Sequence, residues 1–363
     1  RMDLQRETPL QLVVPRRGQN ARLLFNAQAG ESLSFQVMGQ ATLPAGRYVN
    51  YAVYKPDGTL FSSANVTTHQ FFNLPSLPQT GQYFVFVDAD FGAASTARVI
   101  LSEGRGGGGE VDGEVGDFQT ESGGQSVYFN FTATEVDQRL GIGISDLTLS
   151  NGNYVWVYVF QPDGTSLGTT TCYQSDGGCG INVRATKVGR YSVRVEPLNA
   201  TQTMRLRALV TTDLHADIAR ESPYQLSTSR RGMNARLYFN AEAGETLGIQ
   251  IAGQSTEPSA KYVSYQVYGP DGALLTSVNS AGSDTLRLPT LSASGRYMLF
   301  VDPAHGATLQ SRITLTSGRQ SGLEIDGTAG GFVAPVAGQP ALITFTTTIA
   351  DQRLGLGIRD LQL

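Results

Sequence analysis

Apolar and polar residues alternate in short runs along the whole chain. In the first hundred positions ARLLFNA, SLSFQVMG, YVNYAVY, FFNL, GQYFVFVD and ARVILSEG recur every eight to fourteen residues. Each is bounded by Gly, Pro, Asn or Asp, the residues that turn a chain between strands. No window sustains the i, i+3, i+4, i+7 spacing of an amphipathic helix with start and stop signals. The pattern predicts an all-β protein of tandem jelly-roll or Ig-like β-sandwich domains. Val49, Tyr51 and Val53, which recur as Val263, Tyr265 and Val267, are assigned to the core.

One stretch breaks the alternation. YVWVYVFQPDG, from Tyr154 to Gly164, is apolar or aromatic at every position before its turn. Successive strand side chains point to opposite faces, so Val155, Val157 and Val159 share one face and Tyr154, Trp156, Tyr158 and Phe160 the other. The valines read as core. The aromatic face has two readings: it packs on a neighbouring domain or strand layer, or it offers rings for stacking against sugars.

The pattern repeats over long distances. RRGQNARLLFNAQAGESL at Arg16 returns as RRGMNARLYFNAEAGETL at Arg230, and DQRLGIGISDLTL at Asp137 returns as DQRLGLGIRDLQL at Asp351, both 214 residues on. A weaker half-repeat places Pro-Asp-Gly turns at Pro56, Pro162 and Pro270, and Gly-x-Tyr at Gly81, Gly189 and Gly295. A duplicated pair of sandwiches follows. Domain A covers 1–104, a Gly-rich linker 105–109, domain B 110–212, domain C 213–318, and an incomplete domain D 319–363. C repeats A, and D repeats the first part of B. D ends before its own Pro-Asp-Gly strand, so its strands are expected to be completed by further sequence or another molecule. The B-to-C join, TTDLHADIARESP, lacks glycine and is expected to be stiff.

Composition narrows the function. The 363 residues carry a formal net charge of −4, 40% hydrophobic and only 16% charged residues, with 42 Gly and 15 Pro. No basic footprint for nucleic acid and no apolar run of bilayer length is present. The start, RMDLQRETPL, is polar, which suggests a fragment or processed product whose targeting signal lies elsewhere. The two cysteines, Cys172 and Cys179, share a polar loop and are expected to form a disulfide outside the cytoplasm.

AGESLSFQV, VYKPDG and LPSLPQTGQYFVFV in A, and their counterparts AGETLGIQI, VYGPDG and LPTLSASGRYMLFV in C, resemble the repeats of bacterial pre-peptidase C-terminal domains. B departs from that pattern, with ATEVDQRLGIGI in place of the AG strand and no Leu-Pro before TKVGRYSVRV. The resemblance implies accessory β-sandwiches of large bacterial secreted or surface proteins, some of which bind collagen or polysaccharide and some of which hold calcium at their start.

Catalytic chemistry finds no motif. His69, His215 and His305 are isolated, and neither H-E-x-x-H, G-x-S-x-G nor a P-loop occurs. No cofactor is expected. Calcium is the candidate ion, with Glu110, Asp112, Glu114 and Asp117 as the acidic cluster, read alternatively as a solvated acidic segment. Asn-x-Ser/Thr triplets at Asn65, Asn130 and Asn199 matter only in a glycosylating pathway. The expectation is a non-enzymatic stalk, fibre or adhesive region, extracellular or at a bacterial surface. Its partners would be other domains of the same or neighbouring chains, with neither nucleic acid nor membrane insertion. The alternative is a carbohydrate- or matrix-binding accessory module using Tyr154, Trp156, Tyr158 and Phe160.

Overall fold

A computed structural model describes residues 1–363 except 75–76, 104, 122, 200, 329, 334–340 and 363. Twenty-nine strands and three single-turn 3-10 segments form the described residues. Domain A holds β1 (Met2–Asp3), β2 (Leu10–Val14), β3 (Ala21–Ala27), β4 (Leu33–Leu43), β5 (Val49–Tyr54), β6 (Leu60–Val66), β7 (Gln70–Leu74), β8 (Gly81–Ala89) and β9 (Ala94–Glu103). Domain B holds β10 (Arg105–Gly108), β11 (Gly116–Gln119), β12 (Val127–Ala133), β13 (Arg139–Leu149), β14 (Tyr154–Phe160), β15 (Ser166–Tyr173), β16 (Gly178–Arg184), β17 (Gly189–Pro197) and β18 (Met204–Thr212). Domain C holds β19 (Leu214–Asp217), β20 (Tyr224–Thr228), β21 (Ala235–Ala241), β22 (Leu247–Glu257), β23 (Val263–Tyr268), β24 (Leu274–Ser280), β25 (Asp284–Arg287), β26 (Gly295–Pro303) and β27 (Thr308–Ser317). Among its described residues, domain D shows β28 (Arg319–Gly322) and β29 (Ala341–Thr344).

Strand order decides between the two sandwich types. A has one sheet ordered β1-β3-β8-β5-β6 and a second ordered β2-β9-β4-β7, and C repeats this with β19-β21-β26-β23-β24 and β20-β27-β22-β25. Apart from the hairpins β5–β6 and β23–β24, strands adjacent in sequence alternate between sheets and pair with strands distant in the chain, which is the double Greek key of a jelly roll, not the Ig order. In B the same two layers join along one edge, through the single pair Tyr173–Gly178 between β15 and β16. The disulfide Cys172–Cys179 forms at that edge, with both sulfurs inside the core.

Domains A, B and C each enclose one core. Val49, Tyr51 and Val53, like Val263, Tyr265 and Val267, are fully buried, as are Val155, Val157 and Val159. Each such valine contributes roughly 1.5–3 kcal/mol by leaving water. The half-repeat has a physical cause as well. Gly81, Gly189 and Gly295 adopt φ of 149°, 135° and 151°, and a Cβ there would stand 2.8–3.0 Å from the ring of Pro56, Pro162 or Pro270. Only glycine lets the late strand lie on the proline of the turn, so the two motifs travel together. The tyrosine two residues on is buried, and its hydroxyl donates to a loop carbonyl: Tyr83 to Gln79 at 2.8 Å and Tyr191 to Lys187 at 2.9 Å.

The Gly-rich stretch 105–109 is not a free linker. Arg105–Gly108 forms β10, parallel to β12, just as β1 pairs β3, β19 pairs β21 and β28 pairs β29. A glycine run still carries a full set of backbone donors and acceptors, and the open edge of β12 accepts them. Domain B therefore begins at this strand. Within the B-to-C join, read from sequence as stiff for its lack of glycine, only Asp213 separates β18 from β19.

Candidate functional site

The aromatic row lies on the outer face of β14, opposite the core valines, and all four rings are half-buried. They do not form one flat surface. Tyr154 meets Trp156 edge-on, with planes 73° apart, while Tyr158 and Phe160 lie within 19° of parallel. The Arg194 guanidinium caps that second pair, 4.3 Å from the Tyr158 centroid and 5.2 Å from Phe160, and is held there by Glu196 at 2.8 Å. Tyr173 tilts against Tyr154 at 5.6 Å. The ring and cation contacts described for the row thus come from B's own sheet, and Trp156 with Tyr154 is its uncapped part.

The acidic cluster is not brought together. Both Asp112 carboxylate oxygens accept hydrogen bonds, from Thr211, the Thr212 amide and the Thr212 hydroxyl at 2.8–3.0 Å. Asp117 pairs with Arg205 at 3.1 Å, and Glu110 and Glu114 face solvent. Among the described residues no three His, Cys, Asp or Glu side chains gather as a metal-binding group. Asp112 thus secures the end of β18, and Asp117 is taken by an arginine of the same strand.

The most built surface is one that sequence reading did not single out: the joint between B and C. Gly141 and Gly143 on β13, and Gly180 on β16, bare the backbone of one face of B. Onto it fit the loop Arg231–Gly232 and the 3-10 turn Ala304–Gly306 of C. A Cβ on Gly141 would stand 1.8 Å from the Gly232 carbonyl oxygen, one on Gly143 2.2 Å from that of Arg231, and one on Gly180 2.7 Å from the Gly306 Cα. Side chains clamp the rim. Arg231 donates to the Ile144 carbonyl at 3.4 Å and to the His305 carbonyl at 3.3 Å, and Arg230 reaches the Gly113 carbonyl. Burial holds the Arg231 guanidinium below its ordinary pKa. Asp176, in the 3-10 turn between the two cysteines, pairs with Lys261 at 2.9 Å and lies 3.3 Å from the His305 ring.

A polar chain crosses the joint. Asn182 of B donates to Asp302 of C at 2.8 Å, while Asn234 of C donates to Asn182 at 2.8 Å and to Asp213 at 3.0 Å. Asp213 in turn holds Arg236 at 2.7 Å. Beside this chain runs a groove of about 330 Å³, lined among others by Tyr262, Asn279, Asp302 and His305. Burial pushes the Asp302 carboxyl up, with the Asn182 hydrogen bond opposing. A carboxyl raised above its unfolded value penalises the fold once ionised, so this contribution worsens as pH rises from the unfolded pKa through the folded one. Asp302→Asn is therefore expected to raise the melting temperature at pH 7 and to have little effect near pH 3. Calorimetry at the two pH values checks this, and equal effects at both would contradict it.

No family model and no curated protein matches the chain. Three solved structures are similar at a low level. The M60 catalytic domain with two CBM51 domains of Clostridium perfringens ZmpB shares 10% identity at a TM-score of 0.17, over 85% of this chain and 34% of that one. The CUB1-EGF-CUB2 domains of rat MASP-1 share 11% at 0.20, over 58% and 99%. The lipid-containing bacteriophage PM2 structure shares 11% at 0.18, over 85% and 99%. The chain spans about a third of the first of these, and likenesses at such scores assign neither family nor activity. Among the described residues no helix is long and apolar enough to cross a membrane.

Proposed function

We propose that this chain is a stretch of the stalk, fibre or adhesive region of a large bacterial secreted or surface protein, and that it is not an enzyme. The observation carrying the reading is the B–C joint. A face stripped of side chains at three glycines, with two loops seated on it and one residue of connection, transmits position from one domain to the next instead of leaving a hinge. The disulfide supports a location outside the cytoplasm. The repeat resemblance to bacterial accessory sandwiches supports the same setting.

D fits this reading. Phe345, Leu354, Leu356, Ile358 and Leu361, the counterparts of the B core residues Phe131, Leu140, Ile142, Ile144 and Leu147, are 41–71% exposed. In B these residues come from both layers, and in D they stand as an uncovered apolar surface of the kind that strand addition from another molecule would cover.

The second reading, a carbohydrate- or matrix-binding module, rests on the uncapped Trp156 and Tyr154. Tryptophan fluorescence discriminates, since Trp156 is the single tryptophan. The stalk reading expects partial quenching by acrylamide and no response to a polysaccharide panel. A saturable sugar-dependent change, abolished in Trp156→Phe, would replace it with the binding module.

A further inference from the structure

We infer that the free loop end of domain A is a docking surface for a B-type sandwich face standing ahead of it in an array of these repeats. The B–C joint supplies the template. Arg230, Arg231, Gly232, Asn234, Asp302 and Gly306, which meet B, have as counterparts in A the identical residues Arg16, Arg17, Gly18, Asn20, Asp88 and Gly92. The cation that takes Asp176 is conserved in charge, Lys261 becoming Arg47.

The surface is formed in advance of any partner. The Gly18 amide donates to the Gly92 carbonyl at 2.8 Å, as the Gly232 amide does to Gly306 at 2.8 Å. Phe91 holds φ of 51° where His305 holds 56°. The A groove of about 410 Å³ is lined by Tyr48, Asn50, Asn65, Asp88 and Phe91, counterparts of Tyr262, Ser264, Asn279, Asp302 and His305 around the C groove.

What differs is what covers it. Gly232 and Asn234 are buried, whereas Gly18 and Asn20 are exposed. In C, Asn182 of B bridges Asn234 and Asp302; in A, Asn20 closes on Asp88 directly, at 2.9 Å. Phe91 is 76% exposed, covered only by the Arg47 guanidinium 4.7 Å from its ring. Phe91 stands where His305 of C meets Asp176 of B, beside the exposed Gly18 and Asn20. Strand β1 runs beside β3 as β19 runs beside β21, so the edge of A that would face such a domain has the same strand arrangement as the edge of C that meets B. The chemistry selects the occupant: a sheet face with glycines two apart on one strand, an asparagine to insert between Asn20 and Asp88, and a carboxylate to join Asp90, 3.9 Å away, on Arg47. The inference builds on the stalk reading, and the test separates the two.

The full chain extended at its N-terminus by residues 105–214 places a B-type domain ahead of A with the spacing of the B–C joint, since Arg1 is the counterpart of His215. In the unextended chain, trypsin is expected to cut after Arg16 and Arg17 and to spare Arg230 and Arg231. In the extended chain, cutting after Arg16 and Arg17 is expected to slow by about tenfold or more, and Gly143→Val in the added copy is expected to restore it. Trp156→Phe in the original B leaves one tryptophan to report that the added copy is folded. Unchanged cutting with that copy folded overturns the inference, and so does protection that survives Gly143→Val. Should the added copy not fold, a trans arm decides. A full chain carrying Arg231→Glu and Lys261→Glu frees its B face and is expected to associate with the unaltered chain in sedimentation, but not when Gly143→Val is also present; no association overturns the inference. An open A end beside a protected Arg230–Arg231 would leave the stalk reading standing.

Discussion

Gly143→Val is expected to part domain B from domain C while leaving each sandwich folded. The substituted Cβ would begin 2.2 Å from the Arg231 carbonyl oxygen, and no flexible side chain stands between them. Relief needs the two surfaces to retreat by more than about 1 Å, because carbon and oxygen rest about 3.4 Å or more apart. The Arg231 hydrogen bond to the Ile144 carbonyl across the joint, already 3.4 Å long, does not survive that movement. Gly143 faces outward on β13 between the buried Ile142 and Ile144, so valine leaves the core of B untouched. The loss of coupling is on the order of 2–4 kcal/mol. For a domain of this size it lowers the first calorimetric transition by about 10 °C. Trypsin is expected to reach Arg230 and Arg231 at the same time. A variant with unchanged melting and unchanged protection would show that the joint tolerates a side chain and that the glycines are incidental.

Removal of the disulfide by Cys172→Ala with Cys179→Ala has the second-largest expected effect. The bond closes a short loop, the cysteines being seven positions apart, and loop-closure entropy for that length gives about 2–3 kcal/mol. Both cysteines lie in the core of B, one in each layer's edge strand, so the substitution also loses buried contacts there. B is expected to melt about 10 °C lower, and dithiothreitol on the parent chain is expected to shift it by a similar amount. The turn between the cysteines carries Asp176, so the variant also loosens its contacts with Lys261 and His305 across the joint. A thermal profile insensitive to both the substitution and the reductant would contradict this role.

How much of this was legible in the sequence varies with the kind of contact. Strand alternation marked the cores because burial on one face writes a period of two, and Val49, Tyr51 and Val53 needed nothing more. Duplication marked the domains, since a repeat at constant offset survives without knowledge of the fold. The choice of jelly roll over Ig-like order was not legible, because strand order is set by long-range pairing that leaves no local trace. The linker was misread for a related reason: a glycine run advertises flexibility, whereas the edge of β12 that pairs with it lies twenty residues on.

The joint was nearest to being readable. Gly141-Ile142-Gly143 interrupts a strand with two glycines on one face, a pattern that marks close backbone approach. Asp302 carries no such mark in the sequence, because its partner Asn182 lies 120 residues away in another domain. The aromatic row drew attention by composition, yet Arg194, which caps half of it, comes from the neighbouring strand β17.

The central claim is that B and C share one fixed geometry. Spin labels at Ser166→Cys on B and Ser277→Cys on C, both exposed and away from the joint, report it through double electron–electron resonance in the full chain. A single narrow distance distribution that broadens in Gly143→Val is the expected result. A broad distribution in the parent chain, no different from that of the variant, would contradict the fixed joint and with it the stalk reading.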